Sequence, residues 1–232
     1  ALLVAADGVN SRVRQALGLQ TVGFKYQQSA TVCLVEFEHA HQECAFQWFH
    51  ETGPVALLPL SEPNLSAMVW SCSGNVDELD DDNLKAELAR CTERHLGEIL
   101  AVGPRMSFGL TQRHALRYVD HGVALLGDAA HTIHPLAGQG ANLGFADANA
   151  LVTEICGAEL EGKSPGDLTI LKRFESNRRT ENMLAGLAME GFHRLFTSKV
   201  PLLGLLRNKG LNLIDSNPTL KRIAVGLASG GR

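Results

Sequence analysis

The chain has 232 residues, 45% of them hydrophobic and 20% charged, with a formal net charge of -4. This is an ordinary globular balance with room for one or two cored domains. No run reads as a signal peptide or a bilayer-spanning segment, and neither nucleic acid nor a metal ion is an expected partner.

Five scattered cysteines (Cys33, Cys44, Cys72, Cys91, Cys156) form no C-x-x-C pair and read as reduced thiols of a cytoplasmic protein. From His193 to the end, seven Lys/Arg stand against one acid, Asp215, so a basic, leucine-rich tail follows an acidic body.

In chain order, Leu2–Ala6 reads as a short buried strand ending at Asp7-Gly8. Asn10 and Ser11 offer caps for a helix to about Leu17, closed by Gly18. Short apolar or alternating runs follow at Ala30–Phe37, Ala45–Phe49, Val55–Leu60 and Ser66–Ser71. Turn residues separate them, so this stretch reads as an antiparallel meander. Asp80, Asp81 and Asp82 place negative charge at the start of a helix to about His95. Met106–Leu110 and Ala115–Val119 read as strands.

At Val123 the pattern becomes strand, acidic turn, loop and glycine-rich helix start: VALLGDAAHTIHPLAGQGANLG. The helix is expected from about Gly138–Asn142 to Ile155. A long helix with Pro165 in its first turn should then run to about Phe196, with shorter ones near Leu202–Ile214 and Thr219–Leu227.

The chemistry concentrates in two places. Gly127-Asp128 puts a carboxylate at the carboxyl end of a strand, where open α/β sheets bind ligands. A plain capped turn is the competing reading. Gly138, Gly140 and Gly144 lie across the following helix start. Glycine lets a backbone approach a ligand, and free helix N–H groups stabilise negative charge such as that of a reduced flavin. The spacing is not the G-x-G-x-x-G dinucleotide fingerprint, which occurs nowhere in the chain.

The second place is Asp7-Gly8-x-x-Ser11-x-x-Arg14, which reads equally well as a capped helix with an exposed Arg. His131 and His134 lack further ligands at metal spacing, and His39, His41 and Cys44 read as solvated turn residues. Without a G-x-S-x-G elbow, a hydrolase triad around Ser61 has no support.

Taken together, DGVNSRVR from Asp7 and GDAAH from Gly127 resemble the D-G and G-D motifs of aromatic-ring flavoprotein monooxygenases of the 4-hydroxybenzoate hydroxylase type. HTIHPLAGQGANLG, GPVALLPL from Gly53 and RHAL from Arg113 resemble the ubiquinone-biosynthesis hydroxylases within that family. The resemblance implies FAD as cofactor and NAD(P)H as reductant. It also implies a flavin hydroperoxide that passes oxygen to the aromatic ring of a polyprenylated phenol or quinol. Cofactor contacts are implied for Asp7, Gly8, Arg14, Gly127, Asp128, Pro135, Gly138, Gly140, Ala141 and Asn142, with Leu136 near the ring. No catalytic acid–base pair is nominated, because the cofactor carries the chemistry.

The implied fold is an α/β (α+β) mixture: part of a Rossmann-like FAD-binding domain, an antiparallel-sheet substrate domain and carboxyl-terminal helices. The expected boundaries are 1–22 and 121–160 for the FAD domain, 23–120 for the substrate domain and 161–232 for the helices. Family members open with a strand, G-x-G-x-x-G turn and helix that bind the ADP half of FAD. The chain therefore reads as a carboxyl-terminal fragment expected to hold FAD weakly or not at all.

A polyprenyl substrate also implies a lipid surface or a pathway partner. The segment Val200–Lys209 with Lys221 and Arg222 is the candidate docking element, giving a cytoplasmic protein peripheral to the inner face of the membrane. A helical cap with a solvated basic face is the competing reading. The alternative function is a non-catalytic scaffold module of a ubiquinone-biosynthesis assembly. A flavin reductase or oxidase is a further enzymatic alternative.

Overall fold

A computed structural model describes residues 1–50, 52–74, 76–134, 139–197, 204, 216–219, 221 and 222. The expectations for Pro135, Leu136, Gly138, the helix at Leu202–Ile214 and the segment Val200–Lys209 lie outside them, apart from Gly204. Most of the helix expected at Thr219–Leu227 lies outside them too. The chain divides into two compact units: Ala1–Phe24 with Thr111–His193 and 208–232, and Lys25–Leu110 with 194–207.

The first unit holds a three-stranded sheet in the order β1, β9, β8. Its strands are β1 (Leu3–Ala5), β8 (Val119–Asp120) and β9 (Val123–Leu125). β1 and β9 run parallel, with Leu3 opposite Val123 and Ala5 opposite Leu125. β9 is buried throughout. β1 is not the buried strand expected, since Leu3 and Val4 are 53% and 42% exposed. It is an edge strand of its sheet, and only Ala5 enters the core with Tyr118, Leu125, Leu151, Leu171 and Phe174.

Three helices complete this unit: α1 (Arg12–Ala16), α3 (Gln139–Leu160) and α4 (Leu168–Thr197) as far as His193. Ser11 caps α1 by accepting the Arg14 N–H, and Gly18 follows with φ +61°. α3 outlasts its expected end by a turn, because Leu151 and Ala158 continue its buried stripe. α4 starts at Leu168, later than the placement of Pro165 in its first turn implied. Residues 164–167 form a turn instead, in which the Asp167 N–H donates to the Ser164 carbonyl.

The second unit is built on an antiparallel sheet. Its strands are β2 (Thr21–Phe37), β3 (Phe46–His50), β4 (Gly53–Pro59), β5 (Leu65–Cys72), β6 (Ile99–Val102) and β7 (Met106–Ala115). The order is β7, β2, β5, β4, β3, with β6 paired to the end of β2. The boundary between the units falls within β2, within β7 and within the last turn of α4.

The meander is therefore present, with longer strands than its apolar runs suggested. β2 begins at Thr21 although Thr21–Ser29 is polar and contains Gly23, since pairing with neighbouring strands overrides a weak local preference. Gly53 has φ +134°, and a Cβ there would lie 1.9 Å from the Ser71 carbonyl oxygen. Only glycine fits this start of β4.

α2 (Asp81–Cys91) is capped by Asp80, whose carboxylate accepts the Asn83 N–H at 2.8 Å. It ends earlier than His95, where Glu93 and Arg94 turn to positive φ. Leu84 and Leu88 pack it onto Val35, Phe37, Leu57 and Met68. Among the described residues no helix is long and apolar enough to cross a membrane.

Candidate functional site

β1 and β9 end side by side, so the turns that follow them, Asp7-Gly8 and Gly127-Asp128, emerge at the same carboxyl edge of the sheet. Opposite lies the start of α3. Between them is a cleft of about 510 Å³. Ala6, Gly8, Gly127 and Asp128 line its sheet side, and Gly140, Ala141, Gly144 and Phe145 its helix side. Six residues singled out in the sequence thus meet at one cleft: Gly8, Gly127, Asp128, Gly140, Ala141 and Gly144.

The turn at Gly127 is tight for stated reasons. Residues Gly127–Ala129 form one 3-10 turn, and Gly127 has φ +53°. A Cβ on Gly127 would sit 3.6 Å from the Gly144 Cα, so α3 approaches the turn closely at that glycine. Asp128 is exposed at the cleft, and no donor among the described residues reaches its carboxylate. Protein around its base nonetheless raises the carboxyl above the ordinary value through desolvation, opposed by His131. An acceptor without a protein partner, at the rim of a cleft faced by helix N–H groups, suits a ligand rich in hydroxyls with a negative edge.

Other predicted residues do different work. Asp7 is exposed and accepts the N–H groups of Arg12 at 2.8 Å and Val13 at 3.3 Å, which caps α1. Its carboxyl is held low by the Ser11 side chain first, with the backbone N–H groups of Val13 and Arg12 adding to it and slight burial opposing. Arg14 is not an exposed helix residue: it is 4% exposed, and donates to the carbonyls of Ala129 and Val9, both at 2.7 Å. Arg113 also donates to the Val9 carbonyl, at 3.1 Å. Asn142 is exposed in the first turn of α3 and does not line the cleft. Pro135 and Gly138 lie outside the described residues.

His41 corrects the reading of a solvated turn. It is 3% exposed, bonding the Glu62 carbonyl through Nε2 and accepting the Glu43 N–H at Nδ1, whereas His39 and Cys44 are exposed. Fixing a loop whose Gln42 and Glu43 both have positive φ explains its burial.

Sequence reasoning missed the group beneath the turn. Asp147 of α3 is fully buried. Its Oδ2 accepts His131 Nε2 at 2.6 Å and the Gly127 N–H at 3.0 Å. Its Oδ1 accepts Arg178 Nε at 2.8 Å and Asn182 Nδ2 at 2.9 Å, both from α4. Tyr118 joins the group, stacked on the His131 ring at 5.9 Å between centroids. Burial alone would raise the Asp147 carboxyl. The bonds from His131, Asn182 and Arg178 overcome it and leave the carboxyl below its ordinary value. His134 is likewise buried.

That depression has a defined pH sign. The stabilisation from ionised Asp147 is present above the ordinary value of 3.8 and is lost as pH falls through the lower folded value. Asp147→Asn is expected to flatten the loss of stability with acid between those two values, measured by urea unfolding at stepped pH. Parallel acid limbs for the two proteins would contradict this, since the other depressed carboxylates, among them Asp7 and Asp80, are common to both.

Comparison with known proteins gives the same frame. Residues 1–184 match the family model described as an FAD binding domain. The chain is 39% identical over 235 residues to the 3-demethoxyubiquinol 3-hydroxylase of Escherichia coli, covering 99% of this chain and 59% of that protein. It is 38% identical over 235 residues to the ubiquinone hydroxylase UbiL of Rhodospirillum rubrum, covering 99% and 54%. It therefore spans little more than half the length of these relatives. Among solved structures, the OxyS anhydrotetracycline hydroxylase of Streptomyces rimosus superposes with a TM-score of 0.69 at 27% identity, over 99% of this chain and 46% of that one.

Proposed function

We propose, since the chain belongs to the FAD binding domain family, that its cleft holds the ribityl chain and ring of FAD in an aromatic-ring hydroxylase of ubiquinone biosynthesis. The single observation that carries this reading is the Asp128 carboxylate, which has no donor among the described residues, across the cleft from the start of α3. Asp128 accepts hydrogen bonds from ribityl hydroxyls. The N–H groups of Gly140 and Ala141, with the helix dipole, stabilise negative charge on the flavin's pyrimidine edge. Pro135 and Leu136 are assigned to the ring's side near substrate entry, on the resemblance alone.

When bound and reduced by NAD(P)H, FAD activates dioxygen for transfer of one oxygen atom to an electron-rich ring, the other leaving as water. The protein's own residues bind, orient and shelter the reactants, and none needs to serve as an acid–base dyad. The substrate class is a polyprenylated phenol or quinol, by analogy with the relatives' names. Such a lipid substrate gives the basic, leucine-rich tail a role at a membrane surface or a pathway partner.

The test uses this chain and a version extended upstream by the strand, G-x-G-x-x-G turn and helix that the resemblance implies. Each is supplied with FAD, NAD(P)H, labelled dioxygen and a short-chain demethoxyubiquinol. The expected product carries one labelled oxygen on the ring. Reductant consumption by folded, FAD-loaded protein with no label in the ring would overturn the hydroxylase reading in favour of an oxidase.

A further inference from the structure

The buried carboxylate of Asp147 saturates itself with four donors, two on each oxygen, at 2.6 to 3.0 Å. Such saturation is how a buried charge is retained in a core. The identity of the donors is what matters. One is the backbone N–H of Gly127, the residue immediately before Asp128. Another is His131, three residues beyond Asp128 and on the far side of the turn. The remaining two, Arg178 and Asn182, are one helical turn apart on α4, and Arg178 Nη2 also donates to Asn182 Oδ1 at 2.9 Å. Asp128 itself has no hydrogen-bond donor among the described residues. The two ends of its turn are fixed instead, both by the same Asp147 oxygen.

We infer that Asp147 is a positioning residue for the cofactor-binding carboxylate: through Oδ2 it sets the Gly127–His131 turn, and through Oδ1 it ties that turn to α4. The ligand-binding atom is thereby held by a helix that does not line the cleft. Neither the family description nor the relatives' names assign this role. The side chain does not itself line the cleft; it meets the lining at Gly127, the residue next to Asp128, and acts on a ligand through the turn that carries Asp128.

This inference rests on FAD being the occupant of the cleft. Its test measures FAD affinity by quenching of flavin fluorescence, with unfolding curves in parallel, in whichever of the two forms above binds FAD. Asp147→Asn keeps the shape but puts an amide nitrogen where an acceptor stood, so one pair of donors loses its acceptor. In the Asp128 background the dissociation constant is expected to rise about tenfold, and in the Asp128→Asn background by no more than about twofold, the non-additivity of residues acting through one another. A merely structural role would weaken binding by the same factor in both backgrounds, and that result, or no weakening at all, would overturn the inference.

If Asp147→Asn does not fold, Asn182→Ala carries the test, with about a threefold rise confined to the Asp128 background. An equal rise in both backgrounds, or none, would overturn the inference. Absence of FAD binding by the unsubstituted protein is a separate outcome, which removes the proposed function.

Discussion

Asp128→Asn is expected to weaken FAD binding by about 1.5–3 kcal/mol, roughly 10- to 150-fold, the range for a hydrogen bond to a charged group. The same change should leave the thermal midpoint unchanged or raise it. Most substitutions at a cofactor site confound ligand affinity with folding. Asp128 separates them, because no protein donor among the described residues depends on its carboxylate.

The sign of the stability effect follows from its titration. The folded protein raises the Asp128 carboxyl above the ordinary value of 3.8. Ionisation is thus harder in the folded than in the unfolded chain, and stability falls as pH rises through that window. Above the window the charge costs stability, which the neutral amide relieves. Isothermal FAD titration and thermal unfolding at pH 7 check both halves. A large drop in midpoint would show that Asp128 is a structural residue after all.

Arg14→Met should do the reverse, destabilising the protein by about 2–4 kcal/mol through two carbonyls deprived of their charged donor in a buried place. The guanidinium spans from the D-G helix to the turn after β9, donating to Val9 and Ala129, the latter adjacent to Asp128. Burial first, then the like charge of Arg113, lower the Arg14 pKa, with Asp7 opposing, while it remains a cation whose donors are taken up by those carbonyls. Lysine cannot reproduce a two-pronged bond, so Arg14→Lys should recover less than half of the loss. Urea unfolding of the three proteins checks the order. Arg14→Met as stable as the parent would remove the clamp and return Arg14 to the ligand-contacting role implied by the resemblance.

The strand–turn–helix at Val123–Gly144 was legible because its signals are local. A fully buried three-residue strand, a glycine with positive φ and an aspartate at the strand end each leave a mark within a few residues. The partners of that turn were not legible. Asp147 lies 20 residues beyond Gly127, and Arg178 31 beyond Asp147. In sequence each is an ordinary charged residue in a helix, and nothing short of tertiary packing distinguishes a buried Asp from a solvated one. The four-residue spacing of Arg178 and Asn182 was the available hint, and it is common on any polar helix face.

The sheet shows the same division. β5 and β4 were placed by alternation and turn residues, whereas the first half of β2 has a glycine and a polar run that only pairing makes a strand. β7 continues through Thr111–Ala115 because Arg113 and His114 pair with β10 (His131–Thr132). That strand comes from the segment read only as a loop.

The most direct measurement is an FAD titration of this chain beside the upstream-extended version, followed by flavin fluorescence and visible absorption. The account predicts saturable binding, tighter in the extended form, and weakened on Asp128→Asn. A folded, extended protein that leaves the flavin spectrum unchanged would contradict it and leave the scaffold reading in its place.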